Sequence, residues 1–199
     1  MLTQTNRYFI VDVETDGPVP GTCSLLNLAV IVTDEAINEI DSFSVNLHPV
    51  PGLLGDPETL NWWKSQPNAW TKITENACPA EIAMKQFEKF VQTHNGRRIF
   101  VGHPLIFDGL WVSHYMQAYL GQGLMASHAV TEPLFFGAGI DLPSFVSGAL
   151  SIDYRLCRHG MYPPEIAAET AHTHVGLDDA RGHAEVFRKT VRLTKRTVK

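Results

Sequence analysis

The sequence predicts an α/β protein that opens on an antiparallel meander. Two observations carry that expectation. Three short apolar runs rich in β-formers follow one another before any helical pattern begins. From Asp56 onward, segments of helical periodicity alternate with further short apolar runs. The first strand is Arg7 to Val13 (RYFIVDV), followed by the turn signal Asp16-Gly17-Pro18-Val19-Pro20-Gly21. Leu26 to Thr33 (LNLAVIVT) is the second strand and Ser42 to Leu47 (SFSVNL) the third, and His48 to Gly55 is loop. Asp56-Pro57-Glu58 opens a helix, with an Asp cap, proline at the first position and an early acid. Pro79 to Thr93 puts Ile82, Ala83, Phe87, Phe90 and Val91 at helical spacing. Arg98 to Val101 is a short buried strand. Phe107 to Leu120 returns to helical period through Leu110, Trp111, His114, Tyr115, Ala118 and Tyr119. Ile140-Asp141-Leu142 is a strand end feeding a helix from Pro143 to Leu150. Asp178 to Leu193 is the last helix, with Ala180, Ala184, Phe187 and Val191 on one face. The chain shows no repeat, low-complexity tract or linker, so one domain over residues 1–199 is expected.

Composition bounds the function. A chain of 199 residues, 44% hydrophobic and 19% charged, has the makeup of an ordinary folded protein with a substantial core. No apolar run reaches the ~20 residues a membrane helix needs. The segment Met1 to Arg7 lacks the basic-then-apolar layout of a signal peptide. Three cysteines, Cys23, Cys78 and Cys157, give neither a disulfide framework nor a zinc motif, so the expected compartment is the reducing cytoplasm. The net charge of −5 is unevenly spread. Residues 1–154 carry 7 Lys+Arg against 16 Asp+Glu, and residues 155–199 carry 9 against 5. The final run Arg188-Lys189, Arg192, Lys195-Arg196, Lys199 fits a solvated helix end with cations near the C-terminal dipole, or a phosphate-contacting surface.

Three stretches carry acidic chemistry. Asp12 and Glu14 lie two apart on the first strand, so they share a face at its C-terminal end, where α/β sheets present ligand sites. Two exposed acids on an edge strand would follow the same pattern. This strand is otherwise apolar, however, and buried charges are costly unless paired or metal-bound. Asp108 begins a helix after the loop Gly102 to Ile106, and taken alone it is an ordinary capping or first-turn acid. His174 sits on a loop five residues before Asp179, which starts the last helix, with Asp178 as a helix cap. One histidine among nine is usually satisfied by packing, but a mobile loop histidine can accept a proton from an attacking water. Acids gathered at one point repel each other unless a cation sits between them.

Taken together, Asp12-Val13-Glu14-Thr15, Gly102-His103-Pro104-Leu105-Ile106-Phe107-Asp108 and His174-Val175-Gly176-Leu177-Asp178-Asp179 resemble the DEDDh-type 3′→5′ exonucleases. Ribonuclease T, oligoribonuclease and polymerase proofreading subunits belong to that group. The last motif fits H-x(4)-D, whereas Val175 occupies the place that the tyrosine branch requires. The resemblance covers residues 8–190. It implies a ribonuclease H-like fold with a central mixed five-stranded sheet, its first three strands antiparallel, flanked by helices. It implies two divalent ions, Mg²⁺ or Mn²⁺, held by Asp12, Glu14, Asp108 and Asp179, with His174 as general base. Thr15 and His103 would meet the substrate, a single-stranded RNA or DNA 3′ end or short oligonucleotide, with Leu26 or a neighbour wedged beside the last base. Several members are dimers, so a homodimer is admitted, and no membrane is involved. Pro104 departs from the asparagine that the family often carries there.

Two alternatives stand beside this expectation: a proofreading-type DNA exonuclease subunit working with a polymerase, and a non-catalytic nucleic-acid-binding module on the same fold. Residues 48–75, with Trp62, Trp63 and Trp70, match no family motif. Adjacent helical residues point apart, so Trp62 and Trp63 cannot both face the core. An exposed one could stack a base, worth about 1–3 kcal/mol.

Overall fold

A computed structural model describes residues 5–125 and 130–197, the side chains of 196 and 197 excepted. Lys199 and the Arg196 side chain of the basic run therefore lie outside the described residues, as does most of the amino-terminal segment read for a signal peptide. Five strands form one mixed sheet in the order β3-β2-β1-β4-β5. They are β1 (Asn6–Thr15), β2 (Leu25–Thr33), β3 (Glu39–Asn46), β4 (Arg97–Gly102) and β5 (Ile140–Asp141). The first three are antiparallel neighbours, as expected, and β4 joins β1 in parallel with Tyr8 opposite Ile99 and Ile10 opposite Val101. β1 thus lies at the centre, bonded on both edges.

The period of two along β1 divides its side chains between two layers. Phe9, Val11 and Val13 enter a core with α3 (Ala80–Gln92) and α4 (Leu105–Leu120), through Phe87, Trp111 and Tyr115. Ile10 enters the opposite core with α5 (Leu142–Leu150) and α6 (Gly176–Thr197), through Val146, Ala180 and Phe187. Asp12 and Glu14 continue the Ile10 row past the last β1–β4 pairing, so their carboxylates emerge where the α6 layer meets the strand end.

The Asp56 cap stands as expected, while the starts of the helices carrying Asp108 and Asp179 need correcting. The helix opened by Asp56 is α1 (Pro57–Trp63), with Asp56 accepting from the Thr59 N–H at 2.7 Å. It stops there, and α2 (Pro67–Thr74) follows as a separate helix. Pro67 has no N–H to continue α1, which breaks the segment in two. α4 starts at Leu105, so Asp108 lies within its first turn. Its preceding His103–Pro104 peptide is cis, and the Pro104 carbonyl accepts from the Asp108 N–H. α6 starts at Gly176, so Asp178 is not its cap. The Val175 carbonyl accepts from the Asp178 and Asp179 N–H groups, and the Asp178 carboxylate accepts the Thr173 hydroxyl at 2.9 Å. A Cβ on Gly176 would sit 2.3 Å from Asn27 Oδ1 and 3.0 Å from Ala29 Cβ, so only glycine lets α6 begin this close to the sheet.

Candidate active site

The four acids and His174, separated by up to 167 residues in sequence, line one cleft of about 240 Å³ with Val13, His103, Phe107, His159, His172 and His183. β1 supplies Asp12 and Glu14, α4 supplies Asp108, and α6 supplies Asp179. All four acids are buried, Asp108 and Asp179 almost completely. Asp12, Glu14 and Asp179 each offer an oxygen within 4.8 Å of the other two. No lysine or arginine lines the cleft among the described residues.

Lack of a counter-charge sets the electrostatics. Burial first, and then the Asp179 and Asp108 charges, push Glu14 up to about 8. Burial likewise pushes Asp108 up to about 7, opposed by N–H groups from His103 and Val13. Asp12 is raised well above the usual carboxylate range by burial, then by Glu14, Asp108 and Asp179. Without a cation this cluster retains protons at neutral pH. An all-oxygen set starved of positive charge fits a hard divalent ion, which would replace those protons.

Asp179 is the most tightly held of the four. Its Oδ1 accepts the Thr173 N–H at 2.9 Å, and its Oδ2 accepts the His174 N–H at 3.1 Å. His172 Nδ1 lies 3.0 Å from the same Oδ2. The Asp108 carboxylate accepts the His103 N–H at 2.6 Å, which ties the first turn of α4 to the end of β4.

His174 adopts a left-handed backbone conformation, φ 56°. Its ring stands edge-on to Trp62 at 4.8 Å and to His172 at 4.4 Å. The histidine expected to be mobile is therefore packed among aromatic rings. Desolvation, followed by the neighbouring His172, holds it below the usual imidazole range, so the ring is neutral at neutral pH. Of the tryptophan pair, Trp63 is buried and donates its indole N–H to the Thr15 carbonyl at 2.9 Å, while Trp62 is 40% exposed.

The sequence-predicted substrate residues divide. Thr15 is buried and its hydroxyl donates to the Gly17 carbonyl at 2.8 Å, so this side chain braces the turn after β1. His103 lines the cleft, but its Nε2 lies 2.7 Å from the Tyr162 hydroxyl and its ring stacks on His183 at 4.2 Å. Burial takes His103 down to about 4. Leu26 is fully buried against Trp63, Ala69 and Ile73, and is core.

Three histidines of the cleft, His159, His172 and His183, escaped sequence reasoning. His183 is buried, with Nδ1 3.7 Å from Asp12 Oδ1 and no hydrogen-bond partner among the described residues. Its position four residues after Asp179 places both on one face of α6, a spacing visible in the sequence.

A mixed sheet of this order, with the acid cluster at the end of its central strand, has ribonuclease H-like architecture. The chain belongs to the 3′-5′ exoribonuclease Rv2179c-like domain family, whose sequence profile matches residues 7–191. It is 27% identical over 201 residues to the 3′-5′ DNA exonuclease Cap18 of Escherichia coli, covering 98% of this chain and 97% of the relative. Among solved structures, it resembles the nuclease domain of 3′hExo, described as a DEDDh family member bound to rAMP. That match has a TM-score of 0.68 at 9% identity and covers 96% of this chain and 93% of the other. The 3′-exonuclease that recognises the histone mRNA stem-loop gives 0.70 at 10% identity, covering 96% and 83%. The protein is a phosphodiester hydrolase acting from 3′ ends.

Proposed function

We propose that this exonuclease is a DEDDh-type, metal-dependent enzyme in which Asp12, Glu14, Asp108 and Asp179 hold two divalent ions, Mg²⁺ or Mn²⁺, and His174 is the general base. The observation that carries this reading is the convergence of four buried, uncompensated carboxylates and the neutral His174 on a single cleft. When bound, such ions lower the pKa of water and neutralise charge on the phosphate.

The chain's own residues supply the rest. Neutral His174, its ring edge-on to half-exposed Trp62, accepts the proton of the attacking water. The Thr173 and His174 N–H groups orient Asp179, so base and ligand are fixed by the same turn. Stacking of His103 on His183 walls the cleft beside Asp12, where it would border the substrate. Thr15, with its side chain turned to Gly17, would contribute through the backbone at the end of β1.

We further propose that the substrate is a single-stranded RNA or DNA 3′ end or short oligonucleotide. The family's description names RNA, and the Cap18 relative acts on DNA. One domain over residues 1–199 and a cytoplasmic setting complete the reading, supported by cores that share β1 and by three unpaired cysteines. The deciding experiment is digestion of 3′- and 5′-labelled RNA and DNA oligonucleotides of graded length with Mg²⁺ or Mn²⁺. Stepwise shortening from the 3′ end, abolished by chelator, is expected. Binding of every oligonucleotide with cleavage of none would make the chain a non-catalytic module instead.

A further inference from the structure

We infer that His172, His174 and Asp179 form a zinc site that overlaps the catalytic centre and inhibits it; the inhibitory consequence rests on the roles proposed above for His174 and Asp179. The three side chains offer two ring nitrogens and a carboxylate oxygen that all lie within 4.8 Å of one another. His172 Nδ1 and Asp179 Oδ2 are already 3.0 Å apart, close to the ~3.3 Å between ligand atoms around a tetrahedral ion with bonds of about 2.0–2.1 Å. The His174 nitrogen, within 4.8 Å of both, is the third donor.

The donor chemistry separates this site from the oxygen-only set of Asp12, Glu14 and Asp179. Two imidazoles with one carboxylate suit zinc, whereas magnesium takes oxygen ligands almost exclusively. Ligating carboxylates are characteristically fixed by outer hydrogen bonds, and Asp179 already accepts two backbone N–H groups. All three residues line the cleft of about 240 Å³, which leaves space beside them for a solvent molecule as fourth ligand.

Asp179 belongs to both sets, so the two metal modes compete for its carboxylate. A zinc ion on His172 and His174 takes the proposed base nitrogen and competes for the Asp179 carboxylate. His172 is a metal ligand in the zinc mode alone. The structure thus assigns this residue a regulatory task distinct from hydrolysis.

The test uses cobalt(II), which replaces zinc and reports histidine ligation in a four-coordinate site through its visible absorption. It is titrated into the metal-free full-length chain, and zinc is then titrated against magnesium-supported hydrolysis. The variants are His172→Gln and Glu14→Gln, with circular dichroism to verify folding. Inhibition of His172→Gln is referred to that variant's own magnesium-supported rate, and Glu14→Gln is read by its cobalt bands alone. Visible bands should appear in the native chain, persist in Glu14→Gln, and require at least about tenfold more cobalt in His172→Gln. The zinc concentration giving half inhibition should rise by a similar factor in His172→Gln. Should that variant not fold, zinc-induced shifts of the His172 and His174 ring resonances in the native chain give the same answer. Bands lost in Glu14→Gln but kept in His172→Gln would put the metal on the carboxylates and overturn the inference. Intact bands without hydrolysis of any oligonucleotide would leave the zinc site standing and remove the nuclease mechanism. Hydrolysis without a histidine-dependent metal signature would do the reverse.

Discussion

The acid half of the cleft and the histidine half are built in opposite ways. Asp12 and Glu14 project from a central strand bonded on both edges, and Asp108 and Asp179 from first turns of packed helices. His172 and His174 sit on an irregular segment, where the His174 backbone is left-handed and rings rather than a ladder hold the side chains. Regular backbone can withstand the repulsion of buried like charges; an irregular turn can present a ring to solvent. The contrast separates what costs stability from what moves protons.

The largest effect should come from the acid half. Asp12→Asn or Asp179→Asn should lower kcat by at least about 10³-fold with unchanged circular dichroism, since each removes one of the few charges able to hold the ions. Retained turnover in either purified variant would break the assignment. Next, His174→Ala should lower kcat by roughly 10²–10⁴-fold, the range for a general base, and flatten the acid limb of the pH–rate profile. An unaltered limb would move the base elsewhere.

Stability should discriminate the halves in the other direction. Glu14 and Asp108 have folded-state values raised to about 8 and about 7 from ordinary values of 4.5 and 3.8. Their contribution to folding is therefore fully present below pH ~4 and lost as pH rises through 7 to 8. The metal-free protein should lose on the order of 5 °C in Tm between pH 6 and pH 9, and added Mg²⁺ should restore more at pH 9 than at pH 6. Glu14→Gln should raise the metal-free Tm at pH 8 while abolishing activity, as expected where function stores destabilising charge. His174→Ala should leave this pH dependence in place. A Tm independent of pH in calorimetry would show that the acids are already compensated. The smallest effect is expected from Trp62→Ala, which removes an aromatic contact of about 0.5–1.5 kcal/mol beside the base. Here kcat should fall several-fold, and Trp62→Phe should recover most of it.

How much of this was visible in the sequence follows the same division. The first two strands were legible because their apolar runs are nearly continuous and rich in β-branched residues, the third because Phe43, Val45 and Leu47 alternate with polar residues, and Asp56 because a cap before proline has one local meaning. Asp12 and Glu14 were legible because strand period forces them onto one face. α2 was hidden: Pro67 interrupts a stretch whose buried residues are few, so its periodicity is faint beside three tryptophans. Asp178 was misassigned because two adjacent acids at a helix start are equivalent in pattern, and only the close approach of Gly176 to Asn27 shows where α6 begins. His159 and His172 carried no periodic signal, since both lie outside regular elements. His183 did carry one, its spacing from Asp179, but a helical histidine near alanines resembles core.

Trp63 and Trp62 have a consequence of a mechanical kind. One indole is pinned to the Thr15 carbonyl at the end of the acid strand, and its neighbour bears on His174. The short helix α1 therefore works as a gauge block between the two halves, setting their spacing by the width of two rings rather than by the sheet. A one-residue deletion between Gly55 and Trp62 would rotate that block by roughly 100°. It would leave every acid in place and still separate the base from its ligands.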